Sequence, residues 1–309
     1  MTPEYLLGID GGGTKTLALL ADLEENIIGR GVGGASNYQA VGRQAAFSAI
    51  QTAVDGALQE AKVEKGKIAA LCLGLAGVDR PGDRELVEAW VHDQYPQAEI
   101  RIVNDARPVL AAGTPADWGI VVICGTGSLV FGVDREGRLV RSGGWGYLIG
   151  DEGSGYALGL AGLRSVARSI DGRGKATVLK ELVFNTLQIT KPEELVPRVY
   201  QTPLTKAEIA SLADLINLAA DQGDEVARTL LAEAGYELAL AVSAVYKQLW
   251  AGEPVPAAFT GGVILNSGRV RDAMMEALRR EGITLDPLKP VSTPALGALR
   301  LAKKALAMS

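Results

Sequence analysis

The amino-acid sequence predicts an α/β fold made of two related lobes. Short apolar runs bounded by turn residues, typical of strands, alternate with longer segments whose apolar residues recur every three or four positions, which is typical of amphipathic helices. One pattern, consisting of strand, small-residue loop, strand, polar turn and strand, occurs twice, about 115 residues apart. Because solenoid repeats have periods of about 20–50 residues, this longer spacing indicates two lobes rather than a solenoid.

The first copy of the pattern begins near the N-terminus. Tyr5–Ile9 is a predicted strand, residues 10–16 form a glycine loop, Leu17–Ala21 is the second strand, and a third strand starts at Ile27. An amphipathic helix is predicted over Val41–Lys62, because its apolar residues recur at spacings of three and four. The remaining predicted elements of this half are a buried strand, a helix and a strand: Ala69–Leu75, Asp83–Gln94 and Glu99–Val103.

The second copy begins at Gly119 and is followed by a mostly helical region. Its predicted strands are Gly119–Ile123, Leu129–Val133 and Leu139–Ser142, with residues 125–128 as the small-residue loop. One more strand is predicted at Ala257–Thr260. The predicted helices are Gly155–Ser169, Lys175–Gln188, Lys206–Gln222, Asp224–Trp250, Asn266–Glu281 and a last helix from Pro294.

Composition and charge restrict the classes of function. The chain has 309 residues, 48% of them hydrophobic, and a net charge of −5. No run of Lys and Arg offers a footprint for nucleic acid or an anionic membrane, so neither is an expected partner. The longest uncharged stretch, Trp118–Val133, is shorter than the 20 or so residues that cross a membrane, and no basic leader precedes the N-terminal apolar run. We therefore expect a cytoplasmic protein.

The first glycine loop differs from the two common nucleotide-binding motifs. Gly8 and Gly13 have the Walker A spacing, but Thr14 precedes Lys15 and no helix follows; a dinucleotide fingerprint would also open a helix. A plain tight turn is one interpretation. The other is a hairpin whose backbone N–H groups approach a phosphate, with Asp10 orienting hydrated Mg²⁺. The equivalent loop at 125–128 favours phosphate binding, since two hairpins can hold a polyphosphate from both sides.

Asp105 is the candidate general base. The chain has one histidine, His92, in the middle of a predicted helix, so a group that deprotonates a hydroxyl must be a carboxylate. Asp105 follows a predicted strand and lies between the two loops in sequence. The alternative is that Asn104 or Asp105 only caps the following helix.

Two further glycine-rich segments have both a structural and a functional interpretation. Residues 143–155 either form a long turn with Asp151 near a helix start, or a sugar-binding loop in which Asp151 accepts from hydroxyls. Gly261 and Gly262 either form a helix entry turn or let a purine ring lie against the backbone.

Taken in order, these motifs resemble those of the N-acetylglucosamine kinases, which belong to the BadF/BadG/BcrA/BcrD ATPase group of the actin–hexokinase–Hsp70 superfamily. The resemblance covers nearly the whole chain. The motifs that carry it are residues 10–16, Ser36-Asn37, Asn104-Asp105, residues 125–128, Gly143-Gly144-Trp145-Gly146, residues 150–154 and Thr260-Gly261-Gly262-Val263.

The resemblance implies two ribonuclease-H-like, actin-like ATPase lobes with the active site in the cleft between them. One lobe would comprise residues 1–114 plus the C-terminal helix at about 292–309, and the other residues 115–291. The cofactors would be ATP and Mg²⁺, with Asp10 as the metal-associated carboxylate. The implied nucleotide contacts are Gly12, Gly13, Thr14 and Lys15 in the first loop, Thr126 and Gly127 in the second, and Gly261 and Gly262 against adenosine.

The implied activity is ATP-dependent phosphorylation of the 6-hydroxyl of an amino sugar, foremost N-acetylglucosamine, with Asp105 as the base. The implied sugar contacts are Asn37, Gly144, Trp145 and Asp151. Leu129 stands where animal members of the family have an Asn that approaches the sugar. We also expect a homodimer.

Two alternatives remain open at the level of sequence. The first is a kinase of N-acetylmuramic acid, or of both sugars, in cell-wall recycling. The second is an ATP-driven activator of a reductase or dehydratase, whose iron–sulfur cluster needs four thiolates. Cys72 and Cys124 would supply four only across a dimer, and both lie in apolar runs typical of buried residues.

Overall fold

The computed structural model describes residues 4–78, 81–201 and 204–307. It divides into two compact units. Unit 1 comprises Met1–Asp117 and Val291–Ser309, and unit 2 comprises Trp118–Pro290. In the described residues, no helix is long and apolar enough to cross a membrane.

Each unit contains one five-stranded sheet. The strands of unit 1 are β1 (Tyr5–Gly11), β2 (Thr16–Asp22), β3 (Ile27–Gly33), β4 (Ile68–Leu75) and β5 (Glu99–Asn104). The strands of unit 2 are β6 (Gly119–Cys124), β7 (Ser128–Val133), β8 (Leu139–Gly143), β9 (Val255–Thr260) and β10 (Leu285–Pro290).

The helices lie between these strands and at the C-terminal end of the described chain. The helices of unit 1 are α1 (Tyr38–Val41), α2 (Arg43–Ala61), α3 (Pro81–Gln94), α4 (Ala106–Gly113) and α12 (Ala295–Leu306). The helices of unit 2 are α5 (Gly155–Ile170), α6 (Leu179–Leu187), α7 (Leu195–Tyr200), α8 (Lys206–Asp221), α9 (Glu225–Leu249), α10 (Gly262–Asn266) and α11 (Gly268–Arg280).

The two sheets have the same topology. In unit 1 the order is β3-β2-β1-β4-β5, with β1 antiparallel to β2 and parallel to β4. In unit 2 the order β8-β7-β6-β9-β10 repeats it, with β6 antiparallel to β7 and parallel to β9. The repeat inferred from the sequence is therefore confirmed, and the two glycine loops occupy the equivalent β1–β2 and β6–β7 connections.

Two predicted helices are wrong in their extent. The predicted helix Val41–Lys62 is divided into α1 and α2 at Gly42, whose φ of 81° is unfavourable for other residues. The predicted helix Asn266–Glu281 corresponds to α11 but begins two residues later, because Ser267 has extended backbone and its hydroxyl accepts from the N–H of Val270 to cap α11; Asn266 instead ends the short helix α10.

The predicted helix Lys175–Gln188 begins too early. The observed helix α6 starts at Leu179, whose N–H donates to the Thr177 hydroxyl. The N–H of Val178 donates to the Asp224 carboxylate at 2.8 Å. These side-chain bonds satisfy N–H groups at the helix start, so the preceding residues need not be helical.

Strand β10 was absent from the sequence-based prediction. It contains Pro287 and Pro290, which argue against a central strand because proline has no N–H to donate. The structure places β10 at the edge of its sheet, parallel to β9, where a missing donor is tolerated. Helix α7 was also not predicted.

Glycine allows close packing around the first sheet. Gly29, Gly31 and Gly33 alternate along β3, and a Cβ on each would overlap the backbone of α2. The facing residues of α2 are Ala49, Ala53 and Ala57, spaced one turn apart. On β1, a Cβ at Gly8 would lie 2.6 Å from the carbonyl oxygen of Ala295, so α12 packs directly on the central strand. This packing fixes the strand that carries the first glycine loop.

We predict that Gly31→Ala destabilises the protein by about 1–3 kcal/mol, since the new methyl group would overlap the carbonyl oxygen of Ala53 and force α2 away from β3. The matched control is Gly66→Ala, because no atom lies within 4 Å of a Cβ at Gly66. Urea denaturation compares the free energies of unfolding. Equal stability of the two variants would contradict this packing.

Candidate active site

The first glycine loop presents an open backbone at the end of β1. Gly13, Thr14 and Lys15 are exposed, and no atom lies within 4 Å of a Cβ placed on Gly13. The N–H of Gly12 donates to the carbonyl oxygen of Lys15 at 3.1 Å, which closes the hairpin. The loop therefore has a fixed base and an accessible tip, as a backbone cradle for an anion requires.

Residues 36 and 37 fix this loop from one side. The carbonyl oxygen of Gly12 accepts from the N–H groups of Ser36 at 3.0 Å and Asn37 at 3.2 Å. Asn37 Oδ1 accepts from the N–H of Gln39 and caps α1, while its amide nitrogen carries two further donors. The structure thus places Asn37, a predicted sugar contact, directly beside the first loop.

The Ser36 side chain is unusual among the buried polar groups near the loop. It is 2% exposed, and its hydroxyl has no hydrogen-bond partner in the described part of the chain. A Cβ at Gly11 would overlap this hydroxyl oxygen, so a side chain at position 11 would displace Ser36. A buried hydroxyl without a partner costs about 1–3 kcal/mol. The buried hydroxyl of Ser36 therefore lowers the stability of the fold beside the first loop.

Two carboxylates act on each other at the end of the first sheet. Asp10 follows Ile9 on β1, and Asp105 follows β5 immediately before α4. The pKa of Asp10 is raised to about 7, mainly by burial and secondly by the nearby negative charge of Asp105, while Lys15 opposes both effects. A site with this excess of negative charge favours a cation.

The side chain of Asp105 does not cap the helix that follows it, which was one of the two structural options. The helix cap is supplied instead by Asn104, whose Oδ1 accepts from the N–H of Arg107 at 3.2 Å. Asp105 is the residue before α4, but its side chain makes no cap hydrogen bond. Its carboxylate is therefore not committed to capping, which favours the interpretation as a base.

The second loop lies in unit 2 and is held by backbone contacts on two sides. Gly125 N–H donates to the Gly127 carbonyl oxygen, and the Gly125 carbonyl accepts from Gly155 at 2.8 Å. A Cβ at Gly261 would overlap the carbonyl oxygen of Cys124, whereas no atom lies within 4 Å of a Cβ at Gly262. The structure therefore brings the predicted phosphate and adenosine residues of this unit together.

Asp151 lies under the second loop and is almost fully buried. A Cβ at Gly127 would lie 2.8 Å from its Oδ2, and its Oδ1 accepts from the N–H of Ser128 at 3.4 Å. Its φ of 59° is an uncommon conformation in which Asp and Asn are enriched. Lys206 Nζ donates to Oδ2 at 3.1 Å. The sequence analysis missed Lys206, since a partner 55 residues away leaves no local pattern.

The predicted sugar loop is strongly exposed. Trp145 is 66% exposed, and the Arg141 guanidinium lies 5.3 Å from the centre of its ring. Gly144 has a φ of 71°, and a Cβ there would lie 2.9 Å from Leu129 Cδ1. Leu129 is therefore a direct neighbour of this loop.

The described residues fit Mg²⁺ and a nucleotide. They contain no group of three or more His, Cys, Asp or Glu side chains that could hold a metal by themselves. Mg²⁺ usually binds one or two carboxylates together with phosphate oxygens and water, which is what Asp10 offers. The open backbone at Gly13 and Gly262 leaves room for phosphate and adenosine, respectively.

Comparison with known proteins identifies the family. The model of the BadF/BadG/BcrA/BcrD ATPase family matches residues 7–302, and this chain belongs to that family. The resemblance inferred from the ordered motifs and the two-lobed α/β fold class are both confirmed.

Three relatives define the neighbourhood within the family. The chain is 34% identical over 301 residues to an N-acetylmuramic acid/N-acetylglucosamine kinase from Clostridium acetobutylicum, covering 97% of this chain and 98% of the relative. It is 35% identical over 315 residues to an N-acetyl-D-glucosamine kinase from Dictyostelium discoideum, covering 98% of each. A crystal structure of a candidate N-acetylglucosamine kinase from Chromobacterium violaceum has 28% identity and a TM-score of 0.80, covering 97% of this chain and 99% of its own.

We predict that Asp10→Asn removes activity but stabilises the metal-free protein above neutral pH. The folded-state pKa of about 7 exceeds the unfolded value of 3.8, so the wild type loses stability as pH rises between these values and keeps the full penalty above pH 7. Each pKa unit corresponds to about 1.4 kcal/mol, so we expect a gain of roughly 2–4 kcal/mol at pH 8 and little gain at pH 4.

The matched control is Asp22→Asn. A hydrogen bond from the Asn26 side chain holds the pKa of Asp22 below its usual value, so this carboxylate stabilises the fold above the unfolded pKa, and its loss should destabilise the protein at pH 8. Denaturant titrations of both variants in chelator at pH 4 and 8 give the signs. An Asp10→Asn variant less stable than the wild type at pH 8 contradicts the electrostatic account.

Proposed function

We propose that this protein is an ATP-dependent kinase that phosphorylates the 6-hydroxyl of an amino sugar, with N-acetylglucosamine as the preferred acceptor. The observation that carries the proposal is the pair of equivalent glycine hairpins, one at the end of the central strand of each sheet. The named activities of the relatives from Clostridium acetobutylicum and Dictyostelium discoideum support the same conclusion.

The nucleotide is held mainly by backbone. In this proposal, the N–H groups of Gly12, Gly13 and Thr14 and the Lys15 ammonium bind the β- and γ-phosphates, and Thr126 and Gly127 bind from the second hairpin. Gly261 and Gly262 accommodate adenosine. Bound Mg²⁺, associated with Asp10, supplies neutralisation of the phosphate charge during transfer. The chain's own contribution is positioning, because the hairpins are fixed before the substrate binds.

Asp105 accepts the proton of the attacking hydroxyl. Two observations support this role: the Asp105 side chain makes no helix-cap hydrogen bond, and its charge raises the pKa of Asp10, the carboxylate proposed to associate with Mg²⁺. The oxygen of the sugar then attacks the γ-phosphorus as the bond to the β-phosphate oxygen breaks. A positioned base contributes about 10²–10⁴ in rate.

Four residues are the proposed sugar contacts. Asn37 offers amide donors beside the first loop, while Gly144, Trp145 and Asp151 supply backbone, an aromatic face and a carboxylate. An exposed tryptophan suits the apolar face of a pyranose or an acetyl methyl group. Leu129 adds an aliphatic surface next to Gly144 in place of a polar contact.

The two alternatives differ in support. Activity on N-acetylmuramic acid in addition to N-acetylglucosamine is favoured by the named activity of the Clostridium acetobutylicum relative and by the aliphatic Leu129. The activator role is disfavoured, because Cys72 and Cys124 are both buried. Burial raises the pKa of each thiol to about 12, whereas cluster ligands are thiolates.

The remaining parts of the proposal are Mg²⁺ dependence, a homodimer and a cytoplasmic location.

We predict that Asp105→Asn lowers kcat by about 10²–10⁴ while sugar affinity is largely kept, since Asn has the same shape but cannot accept the proton. Turnover is measured alongside calorimetric binding of N-acetylglucosamine. The control is Asn104→Ala, which removes the observed helix cap and should cost about 1 kcal/mol of stability with a smaller effect on kcat. Near-native turnover of Asp105→Asn rules out its role as the base.

We predict that N-acetylglucosamine is preferred over glucose and glucosamine by kcat/KM. The loss of one hydrogen bond changes affinity by about 0.5–1.5 kcal/mol, so the Leu129 position limits the preference to a moderate factor. A competition assay with these sugars and N-acetylmuramic acid, read by product mass, decides the order. Outright preference for glucose or glucosamine would refute the assigned specificity and leave the kinase assignment intact.

A further inference from the structure

Asp151, one of the proposed sugar contacts, forms an ion pair with a residue of α8 that the proposed function does not use. Asp151 is the one carboxylate in the sequence of residues 143–151. Its side chain is 7% exposed and is paired with Lys206 Nζ at 3.1 Å, whereas the Lys206 side chain is 38% exposed. Removing one partner of a buried pair leaves an uncompensated charge, so Asp151 depends on Lys206 for its neutralisation.

The same loop carries cations against two of its aromatic rings. Lys206 Nζ lies 5.2 Å from the centre of the Tyr147 ring, and the Arg141 guanidinium lies 5.3 Å from that of Trp145. Glu152, the next residue after Asp151, is exposed and lines a cavity together with Gly143, Leu129 and Glu237 of α9. Asp151 differs from these two glutamates because it is buried and already paired with Lys206.

This arrangement has a consequence for the charge of the acceptor. An N-acyl amino sugar is neutral at its 2-substituent. A free amino sugar carries an ammonium group, since amines of this kind have a pKa near that of an α-amino group, about 8. An ammonium that approached Asp151 would have to compete for it with Lys206, whose Nζ lies 3.1 Å from Oδ2. The like charge of Lys206 would disfavour its binding.

We propose that Lys206 is a specificity-determining residue, which pairs with Asp151 and thereby excludes acceptors with a free amino group. The inference rests on the proposed function, because it concerns the sugar bound at that same site. Lys206 would discriminate between acceptors by their charge and would not change the rate of phosphoryl transfer.

The test compares glucosamine with glucose, which differ at the 2-position by an ammonium against a hydroxyl and both lack the acetyl group. Each is measured as a competitive inhibitor of N-acetylglucosamine phosphorylation. The ratio of the two inhibition constants isolates the effect of the positive charge at the 2-position on binding. In the wild type we expect glucosamine to bind less tightly than glucose. Lys206→Met should shift the ratio roughly threefold to tenfold towards glucosamine, and Lys206→Arg should leave it unchanged.

Asp151→Asn gives the opposite test in a variant that should fold, because Asn tolerates the positive φ at this position. It leaves Lys206 unpaired, so the ratio should shift further against glucosamine. A merely structural effect would weaken both sugars equally and leave the ratio unmoved in both variants, which would overturn the proposal. If Lys206→Met does not fold, the direction of the Asp151→Asn shift decides alone. Absence of N-acetylglucosamine turnover in the wild type would instead refute the proposed function.

Discussion

The central strand of each sheet is the constraint on which the candidate site depends. Strand β1 is bonded to antiparallel β2 on one side and to parallel β4 on the other, and its residues from Leu6 to Ile9 are buried. The C-terminal end of β1 is therefore fixed, and the first glycine loop follows directly from it. Because β4 and β5 run parallel to β1, their C-terminal ends bring Ala76 and Asp105 to the same end of the sheet. Strand β6 places the second loop of unit 2 in the same way.

Two features of the first site are costly to stability, and both concern polar groups around the loop. Asp10 retains a carboxylate where burial and Asp105 both oppose its ionisation. Ser36 has a buried hydroxyl without a partner in the described chain. Strain and unsatisfied polar groups persist where the surrounding structure enforces them, and they are commonly found at functional sites. A phosphate and a cation would be complementary to this edge of the sheet.

The sequence was sufficient for the repeat and most of the strands, because apolar runs and turn residues are local signals. The strand β10 could not be found in this way, since tolerance of Pro287 and Pro290 depends on its position at the sheet edge. The role of Asn104 as the helix cap was one of two options and needed the observed hydrogen bond. Lys206 was missed because its ion pair with Asp151 is a long-range contact. The assigned roles of the site residues remain predictions.

The central claim is that a sugar hydroxyl receives the γ-phosphate of ATP in this protein. The most direct measurement is the stoichiometry of products, with ADP and sugar phosphate quantified in the same reaction by phosphorus NMR. We expect equal amounts of ADP and the 6-phosphate of N-acetylglucosamine, with little ADP formed when the sugar is omitted. ADP released at the same rate with and without sugar, and no sugar phosphate formed, would contradict it.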